Sequence, residues 1–469
     1  MATQEYWADD EFQRDSTPFG RWFPTLDSFI APDDPVRLID EILDEVDWSP
    51  WEEPYARKKG QPPVRPKYIA AAILYGLYRG IRSSRKLEEA CHYRFDFLWL
   101  VKGRHIDHSV FAKFRTRFRQ PLKGLFQQIG RIAMTLGLIR LGEVAFDGTR
   151  VKANNSRYQT RTAKTLQKKL QELDALFEQW MNRLNEADAD GMGSTTHLPD
   201  ELADVQRRQE RVRAALDQAR AADEARRKKG TDPEQNPAQI PTTDPDSRVM
   251  PNKEGGYAPN YTPVVTTDGE RGFIVDCDVL DEVNEGSAAL PAVDRIAATF
   301  GQRPEHFLTD AGNNSGQIMA GMEERGVEFY APVESQQPQP GNPARRDDPQ
   351  QPVAESQWPQ LPRNAQGQLD KSCFVYEAAA DRYYCPQGHA MPYDTTSASS
   401  QQLYRQRPPM AETPFGILKS VMGIRQFLLR GLEKVKTEWL WAVTAFNLMK
   451  LVREIRKLRA EWAALGAAT

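Results

Sequence analysis

Residues 143–151 read EVAFDGTRV, an apolar run that predicts a buried β-strand with Asp147 at the point where the strand reaches the surface. Residues 306–316, HFLTDAGNNSG, repeat this arrangement as a strand-like run, then Asp310, then the start of a helix. Because the carboxyl ends of neighbouring strands meet at one edge of a sheet, we expect the two carboxylates to converge. The structural alternative is that each Asp serves a turn or a helix cap.

The sequence around these runs alternates between strand-like and helix-like segments. Residues 261–267 and 273–280 flank the turn DGERG and predict a β-hairpin. A predicted helix over 286–300 and a predicted strand over 327–333 continue the alternation. This pattern is typical of an α/β sheet layered by helices.

Helical periodicity dominates elsewhere. Residues 57–140 predict a helical bundle, with helix starts capped at Ser83–Ser84 and at Asp107–Ser109. Heptad spacing from Leu166 to Ala219 predicts an antiparallel helical hairpin, which either packs as a core or forms an arm for a second subunit or DNA. Residues 334–403 are rich in Pro and Gln and predict irregular structure with weak β content, and helices return from about 409 to 465.

Composition excludes several classes of protein. The chain has 469 residues, of which 40% are hydrophobic and 27% charged, as in a folded globular protein. The longest clean apolar run, 68–78, is too short to span a bilayer. The N-terminus lacks the pattern of a signal peptide, so a cytoplasmic location is expected. Four scattered cysteines do not make a disulfide framework.

Charge is strongly segregated, although the formal net charge is only -3. Residues 1–55 hold 15 acidic and 3 basic side chains, whereas residues 56–152 hold 21 basic and 6 acidic ones and residues 404–469 hold 12 and 5. Clustered Lys and Arg on helices indicate contact with nucleic-acid phosphates, and solvated helix faces are the alternative. In the helical bundle, the candidate DNA contacts are Arg115, Arg117 and Arg119, beside two phenylalanines.

A third carboxylate would complete a two-metal site for phosphoryl transfer, in which Mg²⁺ ions held by carboxylates activate a nucleophile and stabilise the leaving oxygen. Glu412 is the best candidate, because it lies in the basic segment YRQRPPMAETPFGILKSVMGIRQFLLRG. Helical spacing puts Glu412 and Lys419 on one face, about two turns apart. Glu328 and Glu433 are possible substitutes for Glu412.

Several blocks, in this order, resemble the DDE transposases of bacterial insertion sequences: FDGTRVKANNSR, DPDSR with GYAPNYTPVVTTDGERGFIV, FLTDAGNNSG, and YRQRPPMAETPFGILKSVMGIRQFLLRGLEKV. LYGLYRGIRSSRKLEEA and DHSVFAKFR look like the N-terminal domain found in one branch of that family. The resemblance covers roughly residues 20–160 and 244–460.

The resemblance implies an α/β ribonuclease-H-like catalytic domain, a mixed sheet flanked by helices, preceded by an all-α DNA-binding domain. The first Asp would lie on the first strand and the second after the fourth, with a Glu on a later helix. Carried over, the catalytic and metal-binding residues are Asp147, Asp310 and Glu412. The family's helix signature maps to Tyr404, Arg407, Glu412 and Lys419. Pro408 and Pro409 fall between the Arg and the Glu, and prolines in a helix interior would break their common helix.

The implied domain organisation is an acidic arm, the basic helical domain, and a catalytic domain split by a helical hairpin and by an irregular or β segment. Its predicted boundaries are 1–56 (arm), 57–140 (helical domain), 141–160, 244–333 and 404–469 (catalytic domain), 161–243 (hairpin and linker) and 334–403 (second insertion).

The implied reaction is hydrolysis at a transposon end, which frees a 3′-hydroxyl that attacks target DNA. Its cofactor would be two Mg²⁺ ions, with Mn²⁺ as a substitute. The partners would be terminal inverted repeats and target DNA, bound by a homodimer that pairs two ends. The alternatives are a DNA-binding descendant that no longer cuts and a nuclease without strand transfer. The other expected DNA contacts are Arg150, Lys152, Arg407, Lys419, Arg425 and Arg430.

Cys373, Cys385 and His389 form a competing constellation, because Cys and His side chains at this spacing can ligate Zn²⁺. No fourth ligand is evident nearby, so an ordinary loop is favoured. Trp358 either packs locally or stacks on an unpaired base. We assign no role to His105, His108 and His197, which lack a pattern of partners.

Overall fold

A computed structural model describes most of the chain, namely residues 25–55, 63–156, 158, 160–189, 200–228, 230–252, 255–332, 341–363, 369–377, 382–390 and 404–467. Within these residues, no helix is both long and apolar enough to cross a membrane.

The N-terminal part is helical. It comprises a 3-10 turn at Leu26–Phe29, then α1 (Pro35–Asp44), α2 (Ser49–Glu52), α3 (Pro66–Tyr78), α4 (Ser84–Tyr93), α5 (Phe95–Leu100), α6 (His108–Arg117) and α7 (Arg119–Thr135). The predicted caps are confirmed, because the side chains of Ser83 and Asp107 accept backbone hydrogen bonds at the starts of α4 and α6. Trp51 on α2 stacks on Phe114 and packs against Trp441, which ties this part to the C-terminal helix.

A mixed sheet forms the centre of the molecule. Its strands are β1 (Glu143–Gly148), β2 (Val151–Lys152), β5 (Arg248–Pro251), β6 (Tyr257–Asp268), β7 (Ile274–Leu280), β8 (His306–Leu308) and β9 (Glu328–Tyr330). The predicted hairpin is confirmed as the antiparallel pair of β6 and β7. The main order is β7-β6-β1-β8-β9, in which β6 is antiparallel to β7 and β1, whereas β1, β8 and β9 are parallel. β2 and β5 pair with the first half of β6.

Helices flank this sheet, as the alternating pattern predicts. They are α10 (Ala289–Phe300), α11 (Gly316–Glu324), α12 (Arg407–Ser420) and α13 (Leu432–Ala467). The side-chain amide of Asn447 on α13 donates to the carbonyl of Ile274 and accepts from its N–H, at 2.7 and 3.0 Å. These bonds satisfy a buried backbone position where β7 begins, and they fix α13 against the sheet.

The heptad pattern is also confirmed as a pair of long helices, α8 (Ala163–Ala189) and α9 (Asp200–Lys228). Gln209 bonds to Asp174, while Arg220 bonds to Gln167, so the two helices run antiparallel. Their seam buries the predicted heptad residues, among them Leu166, Leu173, Val212 and Leu216. A two-stranded ladder of β3 (Thr160–Arg161) and β4 (Ile240–Pro241) closes the base of the hairpin.

The described parts of residues 334–403 contain two short 3-10 helices, Glu355–Gln360 and Lys371–Cys373, and a β-hairpin. Its strands are β10 (Val375–Glu377) and β11 (Arg382–Tyr384), which pair antiparallel. A small separate core of Ala344, Leu361 and Cys373 lies in this segment.

A buried ion pair joins the sheet to α10 and leads to the first prediction. Arg295 donates two hydrogen bonds of 2.7 Å to Asp276 on β7, and Asp276 is 6% exposed. Replacing Arg295 by Met leaves a buried carboxylate unpaired, so we expect the free energy of unfolding to fall by about 3 kcal/mol in urea titrations. The control is Arg325→Met, which removes a more exposed pair with Asp294, the neighbour of Arg295 on α10, and should cost about 0.5 kcal/mol.

The same pair predicts a pH dependence. Burial raises the pKa of Asp276 even though hydrogen bonds from Arg295 oppose this effect. A carboxyl with a folded-state pKa above its unfolded value stabilises the fold when protonated, so stability falls as pH rises through that range. Without Arg295 the pKa of Asp276 should rise further, so the fall in stability should extend to higher pH and be larger in total. Equal losses of unfolding free energy in the two Met variants, or an unchanged pH dependence in Arg295→Met, would show that Asp276 is not left as an uncompensated buried charge when Arg295 is removed.

Candidate active site

Strands β1 and β8 bring the two predicted aspartates to the same edge of the sheet. Asp147 lies near the end of β1, opposite Val265 of β6, and Asp310 follows β8 by two residues. Asn313 donates from its amide to Thr309 and to Asp310, at 2.7 and 2.9 Å, which fixes the turn that carries Asp310. Among the five strands of the main order, β1 comes first in the chain and β8 fourth, which is the placement that the resemblance implies.

A third carboxylate meets these two, and it belongs to Glu285. One carboxylate oxygen from each of Asp147, Glu285 and Asp310 lies within 4.8 Å of the other two. Burial, together with the charges of Asp147 and Asp310, raises the pKa of Glu285 to about 7. Arg150 offsets part of this charge, with its guanidinium 3.7 Å from the Glu285 carboxylate. We refer to these three residues as the acidic cluster.

Glu285 was not predicted from the sequence, although the rule that placed Asp147 and Asp310 at one edge of the sheet applies to it as well. β7 runs parallel to β1, because both are antiparallel to β6, so the segment after β7 reaches the same edge of the sheet. Three acidic residues follow β7, namely Asp281, Glu282 and Glu285, and spacing alone does not single out the last. Treating every strand parallel to β1 alike would have brought this segment into consideration.

Gly148 leaves room for the Glu285 carboxylate. A Cβ atom at position 148 would lie 2.3 Å from this group, which is closer than real contacts allow. The obstructing atoms are the end of a flexible side chain, so an added methyl would displace the carboxylate rather than disrupt the strand. A side chain at position 148 is therefore incompatible with Glu285 in its observed position.

This contact gives the second prediction. We expect Gly148→Ala to weaken Mg²⁺ binding by about tenfold, as losses of supporting groups around a metal do, with little change in thermal stability. Gly142→Ala is the control, because a Cβ at position 142 meets nothing within 4 Å. Calorimetric titration with Mg²⁺ measures the effect. Equal affinities in the two variants would mean that Glu285 does not bind metal from this position.

Helix α12 brings a cation to the acidic cluster. The guanidinium of Arg407 lies 3.1 Å from the Asp147 carboxylate, and both side chains are largely buried. The two prolines after Arg407 do not separate it from Glu412, since they occupy the first turn of α12. Backbone N–H groups in that turn have no partner within the helix, so the N–H that proline lacks is not needed there. Tyr404, just before the helix, bonds to Arg407, and burial raises the pKa of its hydroxyl.

Glu412 lies on α12, as the helix signature implies, but its side chain is exposed. It is not part of the acidic cluster among the described residues. Lys419, two turns along the same helix, donates to the Thr149 hydroxyl and to the Arg150 carbonyl, the latter at 3.0 Å. The first residue of α12 therefore contacts β1, and its last turn contacts the two residues that follow this strand.

The other predicted DNA contacts fall into two groups. Arg115 is turned into the protein, where it donates to the Arg82 carbonyl, and burial lowers its pKa to about 10. Arg119 pairs with Glu433. The second group is exposed to solvent and consists of Arg117, Lys152, Arg425 and Arg430. Lys152 and Arg425 are adjacent, since the N–H of Lys152 bonds to the Arg425 carbonyl at 3.2 Å.

The alternative carboxylates have other partners. Glu328 accepts from the Tyr330 hydroxyl and lies 3.0 Å from His306, while Glu433 pairs with Arg119. Neither belongs to the acidic cluster among the residues described.

The Cys and His constellation does not form a described metal group. Cys373 is buried and its thiol bonds to the Pro362 carbonyl, whereas Cys385 and His389 pair through their backbones. No group of three ligands containing these residues is found in the described part of the chain. Trp358 packs beside Cys373 and donates to the Val353 carbonyl at 3.0 Å.

Two models of known protein families match parts of this chain. The family model described as Transposase domain (DUF772) matches residues 24–117, and the model described as Transposase DDE domain matches residues 236–448. A search of curated proteins finds no significant match. Asp310, Glu285 and Glu412 lie inside the second match, and Asp147 lies between the two.

Among solved structures, the chain is similar to the cryo-EM structure of a piggyBac transposase synaptic complex with hairpin DNA. That match has 10% identity and a TM-score of 0.34, and it covers 90% of this chain and 76% of the other. A similarity of this size carries no argument here. A DDE domain implies a ribonuclease-H-like fold, and the mixed sheet flanked by helices agrees with that fold. This chain therefore belongs to the DDE transposases, of the type that insertion sequences encode.

Proposed function

We propose that this transposase cleaves DNA at the ends of an insertion sequence and joins the freed 3′-hydroxyl to target DNA. The observation that carries the proposal is the acidic cluster, in which three carboxylates from separate parts of the chain converge at one edge of the sheet. Both steps are phosphoryl transfers, so one set of carboxylates can serve them in turn.

The acidic cluster suits a divalent cation. It offers only carboxylate oxygens, the ligands that Mg²⁺ prefers, and burial together with the charges of Asp147 and Asp310 raises the pKa of Glu285. Asp147 and Asp310 would hold the metal, with Glu285 and Glu412 as further carboxylates. Bound Mg²⁺ or Mn²⁺ would polarise the scissile phosphate and lower the pKa of the attacking hydroxyl or water. We propose two such ions, as the resemblance implies.

The cations around the acidic cluster have a different task, since a DNA phosphate brings its own negative charge. Arg407 lies against Asp147 and is the nearest cation from α12. Lys419 holds α12 to the segment that follows β1. The exposed side chains are those of Lys152, next to that segment, of Arg425, whose carbonyl accepts from the Lys152 N–H, and of Arg430. We propose that these exposed side chains bind the DNA backbone, where neutralising phosphates releases counterions. Arg115 is not among these proposed contacts, because its guanidinium donates to the Arg82 carbonyl inside the protein.

Pairing two transposon ends requires two active sites, so we propose that a homodimer acts on terminal inverted repeats and target DNA. The α8–α9 hairpin would be an insertion in the catalytic domain. Its seam buries little beyond the two helices themselves, which supports a role as an arm that contacts a second subunit or DNA.

The test is the product pattern on DNA that natively flanks the gene. Purified protein with Mg²⁺ should give discrete nicks at the element's ends and joined strands with added target, and EDTA should abolish both. Nicks without joined products would indicate a nuclease. Binding with no cleavage under Mg²⁺ or Mn²⁺ would indicate a DNA-binding descendant, and the proposal would then be wrong.

A further inference from the structure

A second group of metal-ligand side chains lies in the N-terminal helical part, away from the acidic cluster. It consists of Glu88 on α4, with Asp107 and His108 at the start of α6, and we refer to it as the His108 cluster. Nδ1 of His108 lies 3.0 Å from a Glu88 oxygen and 3.6 Å from an Asp107 oxygen. All three ligand atoms lie within 4.8 Å of one another.

These spacings suit four-coordinate zinc. Zn–N and Zn–O bonds of about 2.0–2.2 Å in a tetrahedron separate neighbouring ligand atoms by roughly 3.3–3.6 Å. The two measured distances from Nδ1 bracket that range, so only small side-chain movements are needed to admit an ion. One imidazole and two carboxylates are also the ligand types that zinc accepts together, and they leave a fourth position for water.

The ligands are held in place but have no competing cation. Asp107 caps α6 by accepting the Ser109 N–H with its Oδ1 atom, at 2.7 Å, which leaves Oδ2 toward His108. In the described part of the chain, no Lys or Arg lies within 4.0 Å of either carboxylate. The side chains are partly exposed, with values of 25% for Glu88 and 42% for His108, so an ion can reach them.

Two more imidazoles lie beside the His108 cluster. His92 is one turn after Glu88 on α4, and His105 is three residues before His108. Their rings meet edge to face, with centroids 5.4 Å apart. Three of the six histidines of the chain are thus gathered where α4 meets α6. The sequence offered no ligand spacing, because the partners come from separate helices.

We propose that the His108 cluster binds one transition-metal ion of the zinc class, through His108 Nδ1 and one oxygen each of Glu88 and Asp107. The ion ties α4 to the start of α6 and so stabilises the helical part of the protein. This site is independent of the proposed cleavage reaction. It differs chemically from the acidic cluster, since an imidazole nitrogen favours zinc over Mg²⁺.

The experiment uses the full-length protein in excess Mg²⁺, which occupies oxygen-only sites. Zinc binding is measured by equilibrium dialysis, and cobalt(II) is added as a spectroscopic probe of four-coordinate geometry. We expect one zinc per chain and visible cobalt absorption. Glu88→Gln and His108→Ala should each weaken zinc binding by about a hundredfold, at least as much as losing a supporting group.

Two controls make the result decisive. His306→Ala removes an imidazole that forms a pair of equal length, 3.0 Å, with Glu328. No second carboxylate of the described residues completes a group there, so this variant should leave zinc binding unchanged. Asp147→Asn alters the acidic cluster and should also leave it unchanged. Thermal unfolding of each metal-free variant checks that it is folded. The proposal fails if no zinc binds in excess Mg²⁺, if Glu88→Gln binds like the wild type, or if Asp147→Asn abolishes binding.

Discussion

Asp147→Asn should reduce strand cleavage by about a thousandfold or more while leaving DNA affinity nearly unchanged. A carboxylate oxygen of Asp147 lies within 4.8 Å of one from each other member of the acidic cluster, and Asp147 pairs with Arg407, so removing its charge affects the centre of the site. Losing one electrostatic group at a reacting centre typically costs a hundredfold to a thousandfold, and a shared metal ligand should cost at least as much. Single-turnover cleavage on a denaturing gel measures the rate, and gel shift measures binding.

Asp310→Asn and the double variant extend this test. If Asp147 and Asp310 act on the same metal ions, the double variant should be scarcely slower than either single one, because residues that act as a unit are not additive. Asp294→Asn is the control for a generic change of charge, since Asp294 is half-exposed and pairs with Arg325. Cleavage by Asp147→Asn at a rate close to that of the wild type would remove the acidic cluster from the mechanism.

The positions of Asp147 and Asp310 could be predicted because they depend on local pattern and one rule of sheet geometry. Short apolar runs marked β1 and β8, and parallel strands bring their carboxyl ends to one edge. The order of the strands was not contained in the pattern. Without it, Glu285 could not be told apart from Asp281 and Glu282, because the distinction depends on which side chain the turn into α10 directs inward.

Charge patterns were less informative than apolar ones. Arg115 belongs to a basic run and was expected to face DNA, yet it lies inside, where the neighbouring Glu438 charge favours its cationic form. A long side chain on a helix either extends into solvent or packs against a neighbouring helix, and only the packing of α6 against α13 decides which. The prolines before Glu412 were similarly ambiguous, because proline ends a helix in its interior but fits its first turn.

Glu285→Gln and Glu412→Gln should separate metal binding from catalysis, because we expect the first to reduce Mg²⁺ affinity and the second to reduce the cleavage rate. Glu285 belongs to the acidic cluster in the free protein, whereas Glu412 does not. We therefore expect Glu285→Gln to weaken Mg²⁺ binding by about tenfold to a hundredfold, measured by calorimetry without DNA. Glu412→Gln should leave that affinity unchanged but slow cleavage by about a hundredfold or more.

We expect this difference because the proposed function has the two carboxylates act at different stages. Glu285 already lies among like charges, which a cation relieves before any DNA binds. Glu412 is exposed on α12, and under the proposed function it would join the site only when DNA and metal ions are bound. Glu433→Gln controls for loss of an acidic side chain near the same helices. Wild-type cleavage by Glu412→Gln would make Glu285 the third carboxylate of this enzyme, and unchanged Mg²⁺ affinity in Glu285→Gln would return that role to Glu412 alone.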